Sequence, residues 1–313
     1  MNGLELAKAY YETYGAPMLH EQFAAVEHLI AVGLVGSGSE CLGYDDTIST
    51  DHDFEPGFCL FLPGEDVVDR RTAFLLERAY AKLPQEFGGF KRAKIAPVGG
   101  SRHGVIRMAD FFAEKVGSPD GELTARAFLT LPEYALLEAT NGAVFRDDLG
   151  AFTAIRQKLS YLPEDVRRKK LAGNLLIMAQ AGQYNYNRCL SHGETGAAQL
   201  AAAEFVKATM SAVFLLNRRY QPYYKWSFRA LRALPCLPQL GDTLEYLLTS
   251  ENGEKEAETK CLVIEDVAAL VIGALQEQGL TKAVCGDLEK HAYSVNDGVG
   301  DPAIRNLHVL AAI

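Results

Sequence analysis

The sequence predicts an α+β fold in which a small α/β domain with a mixed sheet is followed by a larger all-helical domain. The candidate strands all fall in the first 120 residues, at 31–35, 54–62 and 104–108. From Leu131 onward, apolar residues recur at helical spacing instead. Between the two regions, residues 117–121 read Gly-Ser-Pro-Asp-Gly and cluster turn formers. We therefore expect one domain over 1–120 and a second over 121–313.

Four helices are expected around these strands. Residues 4–14 and 17–30 precede the first strand, and apolar positions in the second of them follow the helical period. Residues 65–83 form a long candidate helix with acidic residues in its first turn, where the helix dipole favours negative charge. Residues 109–116 form the fourth, directly after the last strand.

The second half is expected to be a helical bundle with its own core. Pro163, Glu164 and Asp165 begin a long helix to about residue 190, because proline and acidic side chains suit a first turn. Gly279 ends another helix. The remaining expected helices are 132–140, 147–159, 196–219, 222–234, 242–248, 257–278, 288–293 and 302–312.

Composition narrows the functional classes. The formal net charge is −9, which argues against a broad nucleic-acid-binding surface. The six cysteines form no C-x-x-C pair, which favours reduced thiols in a cytoplasmic protein over a disulfide framework or a zinc site. The first residues do not resemble a signal peptide. No apolar stretch approaches the ~18–20 residues of a membrane span, so we expect no membrane partner.

The main candidate site lies at residues 36–53, which read GSGSECLGYDDTISTDHD. A Gly38-Ser39 turn follows the first strand, Gly43 recurs five residues later, and Asp51 and Asp53 lead into the second strand. Alternate residues of a strand share a face, so these carboxylates would lie about 7 Å apart. Such a pair beside a glycine-rich turn suits a divalent metal and a phosphate. The alternative is a metal-free polar turn in which Asp51 caps a loop.

This stretch resembles the nucleotidyltransferase superfamily that includes DNA polymerase beta and kanamycin nucleotidyltransferase. Its signature is a strand, a Gly-Ser turn, a further glycine and Asp-x-Asp on the next strand. The resemblance implies that Gly38 and Ser39 bind the phosphates of a nucleoside triphosphate such as ATP. It also implies that Asp51 and Asp53 are catalytic residues that hold Mg²⁺ or Mn²⁺.

Members of this superfamily commonly have a third carboxylate on a later strand. The candidate strand 104–108 contains no acidic residue. Asp110 follows it, either as a substitute or as the first-turn acid of the next helix. Glu194, next to a polar stripe on the long helix, is the other candidate general base, and its alternative role is that of a surface loop acid.

Lys225 is a third candidate for binding nucleotide. It follows Tyr223 and Tyr224 and precedes Trp226. An ammonium suits a phosphate as a point charge. The alternative is that Trp226, Tyr223 and Phe228 are core residues and Lys225 is solvated.

The helical half resembles a bacterial family of domains of unknown function, of the DUF4037 type, within the same superfamily. The matching segments are residues 142–147, 161–166, 187–188 and 216–226. In related antibiotic nucleotidyltransferases a helical domain folds over the sheet and the acceptor lies between them. The resemblance therefore implies that 1–120 is the catalytic domain and that 121–313 covers its site.

The sequence thus predicts a Mg²⁺-dependent nucleotidyltransferase that moves a nucleoside monophosphate from an NTP to an acceptor hydroxyl. The acidic balance favours a small-molecule acceptor over RNA. A catalytically silent nucleotide-binding or protein-interaction module that retains the fold is the alternative, and the missing third acid is its main support.

Overall fold

The computed structural model describes residues 1–46, 48, 54–92 and 103–313. It has a small mixed sheet and a larger helical region, so the predicted α+β class is confirmed. The chain forms two compact units. The first consists of Met1–Glu122 and Ala135–Ser160, and the second of Leu123–Tyr134 and Tyr161–Ile313. The division at residue 120 into a catalytic and a covering domain stays a prediction.

The sheet of the first unit positions the candidate site. The described strands are β1 Ala31–Leu34, β2 Cys59–Leu62, β3 Glu86–Phe87, β4 Phe90–Lys91, β5 Gly104–Arg107 and β6 Ala143–Arg146. Four of them form one sheet in the order β5-β2-β1-β6, with β1 antiparallel to both neighbours and β5 parallel to β2. Gly33 pairs with Cys59, and Cys59 with Gly104. The end of β1 and the starts of β2 and β5 therefore lie together, at what we call the Gly38 end of the sheet.

Strand β2 is buried on both faces, which explains its unbroken apolar sequence. Leu60 and Leu62 point into a cluster with the aromatic residues of the N-terminal helices. Phe61 points to the other face and stacks on Phe152, with ring centroids 4.1 Å apart.

Strand β6 was not expected, because its four residues lie between two helical patterns. Pairing with β1 creates it. The residue before it, Gly142, has a φ of +64°, and a Cβ there would come within 2.0 Å of the Leu34 carbonyl oxygen. Only glycine allows this close approach. A second unexpected feature is the β3–β4 hairpin, whose Gly88 and Gly89 both have positive φ.

The helices of the first unit are α1 Gly3–Tyr10, α2 Ala16–Phe23, α3 Ser39–Leu42, α4 Arg70–Ala81, α5 Met108–Val116, the later part of α7 Glu133–Thr140, and α8 Ala151–Lys158. A π-helical segment, Tyr11–Gly15, joins α1 to α2. Helix α4 begins five residues after the predicted start because the Asp69 side chain accepts the Thr72 N–H and caps it there.

The second unit is a bundle around α9 and α11. Its helices are α6 Ala125–Thr130, α9 Glu164–Met178, α10 Asn187–Ser191, α11 Thr195–Leu216, α12 Tyr224–Arg232, α13 Leu240–Thr249, α14 Glu254–Glu277, α15 Leu288–Asp297 and α16 Pro302–Arg305. A π-helical segment, Ala179–Tyr186, follows α9. The predicted helix start at Pro163-Glu164 is confirmed, since Pro163 is the N-cap.

Helix α11 is the one described helix that is long and apolar enough to cross a membrane, so the expectation that no apolar stretch approaches that length was wrong. Its most apolar window is 61% buried inside the protein. That burial is typical of the core helix of a soluble protein. The cytoplasmic location stays a prediction.

Candidate functional site

The chain makes a sharp glycine-containing turn as it leaves β1. Gly36 has a φ of +107° and Gly38 a φ of +129°, values that L side chains rarely adopt. Helix α3 begins at Ser39, and Gly43 ends it in the left-handed conformation. The Gly38-Ser39 turn predicted from the sequence is thus present. In the described part of the chain, the Ser39 hydroxyl makes no hydrogen bond, so it is available to a ligand.

Asn141 holds this turn in place. Its Oδ1 accepts the Gly36 N–H at 2.8 Å, and its Nδ2 donates to the Gly36 carbonyl at 2.7 Å. The next residue, Gly142, donates its N–H to the Cys41 carbonyl of α3 at 2.9 Å. The loop before β6 therefore fixes both the turn and the short helix after it. The sequence did not indicate this role, because Asn141 lies 105 residues from Gly36.

A second set of polar side chains supports the turn from α5 and α7. Ser37 donates to Glu138 at 2.8 Å, and the Lys115 ammonium contacts both Ser37 and Glu138, at 3.1 and 2.9 Å. Burial disfavours the charged form of Lys115, but the Glu138 carboxylate outweighs it and raises the pKa of Lys115. This lysine therefore stays charged beside the turn.

Asp51 and Asp53 lie outside the described residues. They precede β2 in the chain, and β2 begins at the Gly38 end of the sheet. Glu55 and His103 are described there, with Glu55 Oε1 3.1 Å from His103 Nδ1. Neither residue was singled out from the sequence, since only strand pairing brings them together.

Asp110 lies at the other end of the sheet. It sits in the first turn of α5, which follows β5 directly, and β5 ends where Arg107 pairs with Leu62. Four strand residues span about 10 Å, and Asp110 lies beyond that distance from the start of β5. Its side chain is exposed. This position fits the helix-acid role better than that of a third carboxylate beside Asp51 and Asp53.

The other two candidates, Glu194 and Lys225, belong to the second unit. Glu194 is the N-cap residue of α11 but makes no side-chain capping bond, and it is exposed. Lys225 is exposed near the start of α12, with its Nζ 5.1 Å from the Trp226 ring centroid. Tyr223 is exposed, so the alternative that it is a core residue does not hold for it.

Within residues 1–46, 48, 54–92 and 103–313, no group of three or more His, Cys, Asp or Glu side chains could hold a metal ion. Metal binding by Asp51 and Asp53 stays a prediction.

Fold and site together define an α+β protein with a glycine-containing turn at one end of a mixed sheet and a separate helical unit. A family model described as a domain of unknown function (DUF4037) matches residues 128–227. No curated protein matches the chain.

Proposed function

We propose that this chain is a Mg²⁺-dependent nucleotidyltransferase. The observation that carries the proposal is the Gly38 turn, which the positive φ angles of Gly36 and Gly38 and the two bonds from Asn141 hold at the sheet end from which β2 begins. Successive backbone N–H groups in such turns favour anions. The superfamily assignment belongs to this proposal.

The turn is the part that would bind the triphosphate. The Gly38 N–H and the Ser39 hydroxyl would hold the β and γ phosphates. The Ser39 hydroxyl makes no bond within the described chain, so no internal contact must break when it accepts a ligand. Lys115 adds a positive charge close to the turn, although its ammonium already contacts Ser37 and Glu138.

Asp51 and Asp53 would hold Mg²⁺, or Mn²⁺. Bound there, the ion would neutralise the charge that develops on the phosphate oxygens during transfer. An acceptor hydroxyl would attack the α-phosphorus, its proton would pass to a base, and pyrophosphate would leave. We propose a small-molecule acceptor, because the chain carries a net charge of −9.

The general base in this proposal is Glu194, with Asp110 as the weaker candidate because of its position at the far end of the sheet. Glu194 makes no side-chain hydrogen bond in the described chain, as a base awaiting its acceptor requires. Lys225 would complete the nucleotide contacts as a point charge.

A catalytically silent nucleotide-binding or protein-interaction module is the second candidate. The observation that favours it is the position of Asp110. Without a third acid near Asp51 and Asp53, the site would bind a nucleotide and transfer nothing.

Calorimetric titration of ATP, GTP, CTP and UTP with Mg²⁺ tests the proposal. We expect the parent protein to bind at least one of them, and Asp51→Asn/Asp53→Asn to weaken binding by about tenfold or more. Asp66→Asn is the matched control, because Asp66 is an exposed carboxylate that follows the opposite end of β2.

Three results would count against the proposal. Folded parent protein that binds none of the four nucleotides would overturn it. Binding that both variants weaken equally would place the nucleotide elsewhere. Metal-dependent binding with no transfer to any hydroxyl acceptor would select the silent module.

A further inference from the structure

Three lysines of the second unit are buried, and two of them are fully bonded. Lys169 donates to Asn296 Oδ1 and to the carbonyls of Arg305 and Leu307. Lys260 donates to Gln199, Ser250 and Asn252. An ammonium has three donors, so each is satisfied.

Lys170 differs from both. Its side chain is only 7% exposed, yet its ammonium makes no hydrogen bond or ion pair with any residue the structure describes. The ammonium nitrogen keeps some accessible surface toward its surroundings, but a charge on so largely buried a residue is costly unless something pairs with it. Burial lowers the pKa of Lys170, and Glu133 opposes that effect.

The Lys170 side chain lines a cavity of about 700 Å³ within the second unit. That volume is within the range of small-molecule sites. Val206, Met210 and Phe228 contribute apolar surface, and Tyr223 and Tyr224 also line the cavity. One unpaired ammonium in a largely apolar cavity is the arrangement that orients an amphipathic anion.

Glu133 limits the charge that such a ligand can carry. It lines the same cavity and accepts the Gln221 N–H at 3.1 Å. Burial raises the pKa of Glu133, while Lys170 lowers it. Lys207 also lines the cavity, but it is exposed and paired with Glu204 at 3.1 Å. A single free cation facing an acid favours a singly charged anion over a phosphate dianion.

We propose that this cavity binds a small organic monoanion, with an aromatic or branched apolar body along Val206, Met210 and Phe228 and a carboxylate on the Lys170 ammonium. The proposal goes beyond nucleotidyl transfer and does not depend on it. All the residues that carry it belong to the second unit.

Fluorescence titration of the full chain with 8-anilinonaphthalene-1-sulfonate, an aromatic monoanion, tests the proposal. Trp226 is the only tryptophan and lies in α12 among the lining residues Tyr224, Ser227 and Phe228, so energy transfer from it reports binding nearby. We expect one saturable site. Lys170→Met should weaken it by about tenfold or more, since methionine keeps the apolar surface and removes the charge.

Two further variants separate charge from shape. Lys170→Arg should retain most of the affinity, and Lys207→Met should change it by no more than about threefold, because an exposed pair contributes little. Circular dichroism establishes that each variant is folded. Asp51→Asn/Asp53→Asn should bind the probe as the parent does, which distinguishes a failure of this proposal from a failure of the transferase proposal.

Competition then defines the ligand class. 3-Phenylpropionate should displace the probe at lower concentration than either phenyl phosphate or the neutral 3-phenylpropanol. The proposal is overturned if the folded parent shows no saturable site, if Lys170→Met binds as tightly as the parent, or if the neutral alcohol competes as well as the carboxylate.

Discussion

Replacing Lys170 by methionine should stabilise the second unit. The ammonium gives up much of its hydration in the folded state and gains none of the three acceptors that Lys169 and Lys260 have. Methionine has a similar length and carries no charge that would lose its hydration in the folded state. A buried polar group that lacks a partner costs about 1–3 kcal/mol, and more when it is charged. Because Lys170 still faces a cavity, we expect the lower part of that range, about 1–2 kcal/mol.

Urea unfolding followed by Trp226 fluorescence measures this change, because Trp226 belongs to the same unit. The midpoint should rise while the slope with urea stays the same. Lys169→Met is the matched control at the neighbouring position of α9. It leaves Asn296 and two backbone carbonyls without their donor, so it should destabilise the unit by about 2–3 kcal/mol.

The opposite signs of the two variants are the test. If Lys170→Met destabilised the unit as Lys169→Met does, the Lys170 ammonium would be contributing to folding. The reasoning that assigns it to a ligand would then be refuted.

Two further predictions concern other parts of the molecule. Burial raises the pKa of Glu164, but its bonds to three arginines outweigh this and lower the pKa from 4.5 to about 2. A lowered carboxyl pKa stabilises the fold above the unfolded value, and that stability is lost as pH falls from about 4.5 to about 2. Glu164→Gln should therefore lower the free energy of unfolding by about 1–2 kcal/mol at neutral pH, a value discounted because the Glu164 side chain is 39% exposed. The difference from the parent should disappear near pH 2, as measured by acid unfolding followed by Trp226 fluorescence. An acid-unfolding midpoint that the substitution leaves unchanged would contradict this prediction. Asn141→Ala removes both hydrogen bonds to Gly36, which should lower the local stability of the turn by about 2 kcal/mol. Amide hydrogen exchange at residues 31–38 should then accelerate by about thirtyfold. Unchanged protection would show that the turn is stable without Asn141.

Short sequence patterns predicted the secondary-structure elements whose formation depends on neighbouring residues in the chain. Pro163 and the acids after it mark the start of α9, and the apolar run that ends at Val35 is followed by a turn where glycine is needed. Strand β6 could not be found in this way, because its residues become a strand only by pairing with β1. The same limit applies to the Asn141 clamp and to the Glu55–His103 contact, which depend on residues far apart in the sequence.

The cationic run Arg167-Arg168-Lys169-Lys170 shows why the cavity was missed. Four consecutive cations on a helix are normally solvated, and the apolar stripe of this helix begins only after them, at Leu171. In the structure, however, three of the four are buried, and only Arg168 is not. Arg167 and Lys169 can be buried because their side-chain N–H groups donate hydrogen bonds to Glu164 and to backbone carbonyls. Their burial depends on tertiary packing, so it could not be predicted from the composition of the segment.

The match to the family of unknown function begins after the Gly38 turn and includes Glu133, Lys170 and most of the cavity lining. The matched segment thus contains most of the residues that line the cavity, whereas Gly38 and Ser39 lie outside it. An unpaired buried charge lowers stability, and stabilising alternatives such as methionine are one substitution away. The ligand we propose would supply the partner that Lys170 lacks among the described residues. The measurement on Lys170 thus bears on the matched segment itself, whereas the Asp51 and Asp53 variants address the part of the chain outside it.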